Sequence, residues 1–270
     1  MIPDRSYRSF LSVFVLLAVS FLIYFVRYPM WEFFSFIEPI FALEFLSYFI
    51  VFVVALLLLK KDSRNSLSSV FRNKGSFMVL MGLLFALLYL GLWYLLSFGL
   101  GSRIELTSFP SFRGFENYAV YSLPLAFGFY LAFAVFGAFA EEVAYRGYVQ
   151  TRIVSRFGDV AGVLVATVFF SLQHIHVFEI VWLSNFFQTQ LLHVVLFGIF
   201  TGYLFLKSKD NVWSAFAFHG FLNFFSVSVP IVVTHSFQLT YYVAEIASLT
   251  VMILLLRYLP IRTQFSWRPT

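Results

Sequence analysis

Three short polar clusters interrupt an otherwise apolar chain, and each carries residue types that can move protons. The first is Glu141-Glu142-Val143-Ala144-Tyr145-Arg146 and the second is Phe170-Ser171-Leu172-Gln173-His174. The third is His219-Gly220-Phe221-Leu222-Asn223. On a helix Glu142 and Arg146 stand at i,i+4 and share a face, so an ion pair is expected between them. Glu141 lies about 100° round the helix from Glu142 and is expected to stay unpaired. The single arginine thus commits Glu142 as its counter-ion and leaves Glu141 as the candidate general base or acid. His219 and Asn223 are again i,i+4, so both can point into one cavity. Taken singly, the clusters have plain readings: a solvated salt bridge, an interfacial histidine, an interhelical hydrogen-bonding pair. Together, on separate helices of so apolar a chain, they read as a site, because ionisable groups at membrane depth are costly.

The elements that must position these residues are membrane helices. Of 270 residues, 61% are hydrophobic and only 11% charged, with a mean hydropathy of +0.87. Soluble domains run at about 25% charged. The reading is an all-α, polytopic membrane protein of about eight helices enclosing a polar cavity. The expected spans are 10–26, 40–59, 77–98, 119–142, 160–176, 190–206, 212–229 and 240–259, each near the roughly 20 residues a bilayer requires. Three helices in residues 1–118 precede a catalytic core at 119–225, and 226–270 holds the last helix and a tail. Arg5 and Arg8 before the run Phe10–Val26 have the polarity of a signal peptide. No small-x-small cleavage site follows, so a retained first helix is expected. Tyr28–Phe41, aromatic and with Pro29 and Pro39, is expected in the interface. The segment from Gly99 to Asn117 is expected outside, with a short surface helix.

Charge placement orients these spans. With the N-terminus in the cytoplasm, all of the 18 Lys and Arg except Arg27, Arg103 and Arg113 fall on inner segments, as the positive-inside rule requires. Both termini and the Lys60–Lys74 loop are therefore expected inside, in the plasma membrane of a prokaryote or the endoplasmic reticulum of a eukaryote. Trp31, Trp93 and Trp182 fall near outer ends, and Trp213 and Trp267 near inner ones. The net charge of +5 is scattered over segment ends, which excludes a nucleic-acid patch. The absence of cysteine excludes disulfides and thiolate metal sites. His176 points away from His174, while His193 and His235 read as structural or interfacial. Glu179 and Glu245 have no evident basic partner.

At its three clusters the sequence resembles the CAAX protease and bacteriocin-processing (CPBP) family, whose best-known members are the CAAX prenyl protease 2 type, the Ras-converting endopeptidases. That family carries Glu-Glu-x-x-x-Arg, then Phe-x-x-x-His, then His-x-x-x-Asn or Asp, on separate membrane helices. They appear here in order as Glu141-Glu142…Arg146, Phe170…His174 and His219…Asn223. Gly198…Gly202, a short basic loop and Val212-Trp213-Ser214 add to the likeness, which covers about residues 120–225. The resemblance implies hydrolysis of a peptide bond in a membrane-associated protein or peptide, with a prenylated CAAX substrate as one option. Glu141 and His174 would orient and deprotonate a water. His219 and Asn223 would donate to the oxyanion, with Glu142, Arg146 and Phe170 in support. No cofactor is favoured on this reading. Were zinc present, Glu141, His174 and His219 would hold it, although no His-Glu-x-x-His helix exists here. A non-catalytic immunity or scaffold protein and a proton-coupled transporter are the alternatives, the latter weakened by the lack of an internal repeat. The implied partners are lipid and a membrane-bound substrate.

Simple topology sets Glu141 near the inner end of its helix and His174 near the outer end of the next. The two can meet only if the fourth helix continues past Arg146, to about Arg152, and the fifth begins deep or tilts strongly.

Overall fold

The computed structural model describes residues 4–61, 70–71, 75–106, 118–175, 190–229, 231–234 and 238–258. Among the described residues, the helices begin with α1 (Asp4–Trp31), α2 (Ile37–Lys61) and α3 (Gly75–Gly99). Next come α4 (Leu123–Glu141), a π-helical segment (Glu142–Gln150), α5 (Thr151–Phe157) and α6 (Asp159–Leu172). The last described helices are α7 (Leu191–Lys207), α8 (Val212–Ser228) and α9 (Gln238–Tyr258). Two four-residue strands, β1 (Arg103–Leu106) and β2 (Ile231–Thr234), pair antiparallel with Arg103 opposite Thr234. They tie the end of α3 to the α8–α9 connection.

Four helical stretches among the described residues are long and apolar enough to cross a membrane: Leu11–Trp31, Ile37–Lys61, Ser76–Gly99 and Leu123–Phe157. No more than 35% of any of these apolar windows is buried inside the protein. Phe14, Leu22, Leu84, Leu95, Val168 and Leu254 all point outward. An all-round apolar helix with most of its surface uncovered needs a solvent as apolar as itself. The chain is an integral membrane protein.

The fourth helix does not stop at residue 142 as expected. Backbone hydrogen bonding continues through the π segment and α5, making one 35-residue rod from Leu123 to Phe157. Pro124 fits its first turn, where no intrahelical partner for the missing N–H is lost. The rod ends at Gly158, whose φ of +84° reverses the chain into α6 at no Cβ cost. With 14 residues, α6 rises only about 21 Å, short of the roughly 30 Å hydrocarbon core. It therefore ends part-way through, at the depth of the second motif.

Three further observations bear on these expectations. Tyr28–Trp31 continues α1, with Pro29 inside the last turn. After Gly99 the chain forms β1 over Arg103–Leu106. Arg27, read as a loop charge, is 6% exposed inside the bundle and paired with Glu44 of α2 at 2.7 Å. Expectations for Trp182, Trp267, His176, Glu179, His235, residues 107–117 and the middle of the Lys60–Lys74 loop fall outside the described residues.

Helix α8 packs against α3, α4 and α7, α2 lies along α4, and α6 packs on α7. Close approach of α3 and α8 depends on Gly82, where a Cβ would collide with the Ser214 carbonyl oxygen. An apolar core of Phe170, Phe197, Phe200, Phe218, Val143 and Val163 runs through the centre and surrounds the polar motifs.

Candidate active site

The two glutamates straddle the point where the hydrogen-bond ladder changes. Glu141 is the last residue of α4 and Glu142 the first of the π segment. Both are buried, Glu142 and Arg146 completely. Glu142 Oε2 stands 3.3 Å from Arg146 Nε, the expected i,i+4 pair. Its other oxygen accepts from His219 Nδ1 at 2.9 Å, across 77 residues of sequence. Glu142 is thus a two-sided acceptor joining the π segment to α8. Arg146 also donates to Thr201 Oγ1 and, at 3.4 Å, to the Gly198 carbonyl, and lies 4.5 Å over the Phe170 ring. A buried guanidinium with five N–H groups demands this many partners.

Glu141 is not unpaired, contrary to expectation. Gln173 Nε2 donates to its Oε1 at 2.8 Å, and His219 Nε2 lies 3.8 Å from its Oε2. The end of α6 therefore reaches the end of α4, as the long rod and the short α6 allow. His174 follows Gln173, and its Nδ1 donates to the Phe170 carbonyl at 2.8 Å. That bond selects the tautomer with a free lone pair on Nε2. The Phe170 ring sits 4.8 Å from the His174 ring and 6.1 Å from that of His219.

Asn223 Nδ2 donates to the Ala134 carbonyl of α4 at 2.9 Å, which fixes the amide orientation and leaves one N–H uncommitted to that bond. Asn223 and Glu141 both line a cavity of about 200 Å³, together with Tyr48, Tyr130, Ala134 and Gly137. A second, almost wholly apolar groove of about 670 Å³ lies on the other face of α4, walled by Phe45, Phe136, Phe139, Trp213 and Phe216.

All seven residues named from the sequence lie in one region, but not all play the expected geometric part. His219 is held by Glu142, so Glu142 orients a second motif as well as serving Arg146. Gln173 was missed, although it stands in the second polar cluster and is itself buried. Arg27 and Glu44 were also missed. Arg27 stacks 4.1 Å from the Tyr24 ring and 5.4 Å from the Tyr48 ring, beside the cavity. Trp31 Nε1 donates to Glu44 at 3.2 Å. Outside this region, Glu245 has a partner after all in His193 Nδ1, 2.8 Å away.

A zinc ion would need Glu141, His174 and His219 to converge. Among the described residues no three His, Cys, Asp or Glu side chains are grouped to hold a metal. Glu141 Oε1, His174 Nδ1 and His219 Nδ1 are bonded to Gln173, Phe170 and Glu142 respectively. A bond at the far nitrogen is also what a metal-ligating histidine makes.

Residues 123–225 match the family model described as Rce1-like, type II CAAX prenyl endopeptidase. No curated protein matches the chain. The matched segment opens with α4 and closes just beyond Asn223, so it contains all three motifs and every helix that presents them. Over that segment, less than half of its length, the chain is similar to the type II CAAX prenyl endopeptidases.

Proposed function

We propose that this protein is an intramembrane endopeptidase that hydrolyses a peptide bond of a membrane-associated protein, a CAAX-type tail being one substrate class that fits. The observation that carries this reading is the junction of Glu141, Glu142, Arg146 and His219, each 6% exposed or less, beside a cavity lined by Glu141 and Asn223. Buried charge on this scale is expensive in an apolar bundle and is retained where chemistry uses it.

Glu141 acts as general base in this scheme. Its Oε1 is tethered by Gln173, so Oε2 faces the reacting water. The reacting water bridges Oε2 and His219 Nε2, which lie 3.8 Å apart, within the reach of two hydrogen bonds of about 2.8 Å. His174 orients the same water through its free Nε2. As the water attacks the carbonyl carbon, its proton passes to Glu141 and negative charge develops on the carbonyl oxygen. Asn223 donates to that oxyanion. So does His219, whose ring is oriented by the bond from its Nδ1 to Glu142. Such donors contribute roughly 3–4 kcal/mol each in a water-poor site. The proton on Glu141 then goes to the departing amine, the C–N bond breaks, and the acid product forms. No resident metal takes part in this scheme.

Eight spans with both termini and the Lys60–Lys74 loop in the cytoplasm complete the proposal, supported by the basic-residue asymmetry and by a helix at each of the eight apolar stretches. The cavity then opens toward the cytoplasm. The test is proteomics of C-terminal and intramembrane cleavage products in cells carrying wild-type protein or Glu141→Ala. Peptides released by wild type and absent from the variant are expected. Identical product sets at equal expression would sink the proposal.

A further inference from the structure

Helix α4 presents its smallest side chains on the stripe that leads to Glu141. Ala134, Gly137, Ala138 and Glu141 fall at i, i+3, i+4 and i+7, one face of a helix, and all four line the cavity of about 200 Å³ beside the candidate base. Asn223 and Val227 of α8 supply one wall and Tyr48 of α2 another. The Tyr48 ring rests directly on the α4 stripe. A Cβ added at Gly137 would come within 2.9 Å of its Cε2, so the glycine is what lets the ring lie there. The ring is also backed from α1. Tyr24 meets it edge-on at 5.7 Å, and the Arg27 guanidinium lies 5.4 Å from its centre. Arg27 is paired in turn with Glu44, one turn before Tyr48 on α2. Helices α1 and α2 lie outside the matched segment, so this wall comes from the N-terminal part of the chain.

The size of the cavity limits what can be cut. At about 30 Å³ for each water-sized group, about 200 Å³ holds roughly seven such groups. The peptide unit to be cleaved takes about half of them, which leaves roughly three for a side chain. Valine and threonine fit that remainder, whereas a phenylalanine or tryptophan ring exceeds it. Charge is excluded for a separate reason: an acidic side chain would be repelled by Glu141, and a basic one would pair with it and remove the base. We propose that this cavity receives the substrate residue flanking the scissile bond and that Tyr48 is its specificity-determining residue, admitting compact neutral side chains and rejecting aromatic ones. The inference rests on the peptidase reading above and narrows its substrate class.

Specificity profiling reads this directly. Full-length protein in lipid nanodiscs is given acyl-anchored peptides of randomised sequence, and the new chain ends are identified by mass spectrometry. At one of the two positions next to the cut, wild type is expected to favour alanine, valine and threonine over phenylalanine and tryptophan by about 10- to 200-fold in kcat/KM, the range that a misfit of one methylene commands. Tyr48→Ala removes the wall and should abolish most of that preference at that position, with the preferences at every other position kept. A tyrosine with only a structural part would instead slow all peptides alike. Tyr48→Leu, which keeps more of the packing beneath Arg27, should show a smaller shift in the same direction should the alanine variant not fold. An active wild type that accepts phenylalanine beside the cut as readily as alanine overturns the proposal, as do variants with an unchanged profile, and either result leaves the peptidase reading standing. A wild type that cuts no peptide of the library overturns that reading and this inference with it.

Discussion

Replacing Glu142 by Gln removes one charge and one acceptor while conserving shape, and the site makes the consequence calculable. A carboxylate offers an oxygen to each of two donors, Arg146 Nε at 3.3 Å and His219 Nδ1 at 2.9 Å. An amide offers one oxygen and turns an NH₂ group toward the other donor, so either the arginine or the histidine loses its partner. Breaking one side of a fully buried pair costs about 3–5 kcal/mol. Arg146 keeps Thr201, the Gly198 carbonyl and the Phe170 face. The lower end, ~3 kcal/mol, is therefore expected. Unfolding titrated with denaturing detergent in mixed micelles would measure it. A cycle with Arg146→Met separates the two contacts: the double variant should recover part of the loss, because no stranded cation remains. Strict additivity of the two single losses, or a Glu142→Gln protein as stable as wild type, would refute the buried-pair argument.

Glu141→Gln should lower turnover by about 10²–10⁴-fold, the share of a general base, with unfolding midpoints close to wild type; normal turnover by folded protein would falsify Glu141 as the base. Gly82→Ala should cost about 1–3 kcal/mol by overpacking α3 against α8, because the new methyl meets Ser214 O and comes within 2.8 Å of Ala217 Cβ; an unchanged detergent-unfolding midpoint would contradict that packing. A cysteine placed by Ser68→Cys, in a chain with no other, should resist an impermeant thiol reagent added to intact cells and react after lysis; labelling from outside reverses the orientation. Chelators should leave turnover unchanged; loss on chelation with recovery on stoichiometric zinc would recast Glu141, His174 and His219 as ligands.

What the sequence made legible was whatever one helix could express by itself. The i,i+4 relation of Glu142 and Arg146 follows from local geometry, and the structure has that pair. Apolar run length located each helix. The partner of His219 was not legible, because Glu142 lies 77 residues away and only the packing of α8 on the π segment joins them. Gln173 left a faint signal, an amide at membrane depth beside a candidate histidine. An amide can satisfy itself in many ways, so its bond to Glu141 had to be seen. Arg27 was misjudged, and Glu44 passed over, for a different reason. Each is a single charge near a helix end, where snorkelling to the interface is the usual outcome, and only their mutual approach at 2.7 Å shows them turned inward. The long fourth helix was anticipated only through a contradiction, since Glu141 and the second motif could not otherwise meet.

The π-helical stretch from Glu142 to Gln150 limits how this protein can change length. A wide-turn segment within a longer rod behaves as surplus chain held in place by the contacts around it, and such segments gather at functional sites. Loss of one residue there would let the backbone relax into an ordinary α-helix without breaking the rod. The lost residue and the tighter winding offset each other only in part, so everything downstream would turn relative to α4. Gln150 would swing away from the Gly202 carbonyl it now binds at 2.9 Å, and Arg152, buried in the bundle, would be turned off its present face. Surface loops of this chain can gain or lose residues one at a time during descent. The rod cannot: a single-codon deletion between Glu142 and Gln150 is a rotation of half the molecule, so natural homologues are expected to keep this interval at constant length while their loops vary.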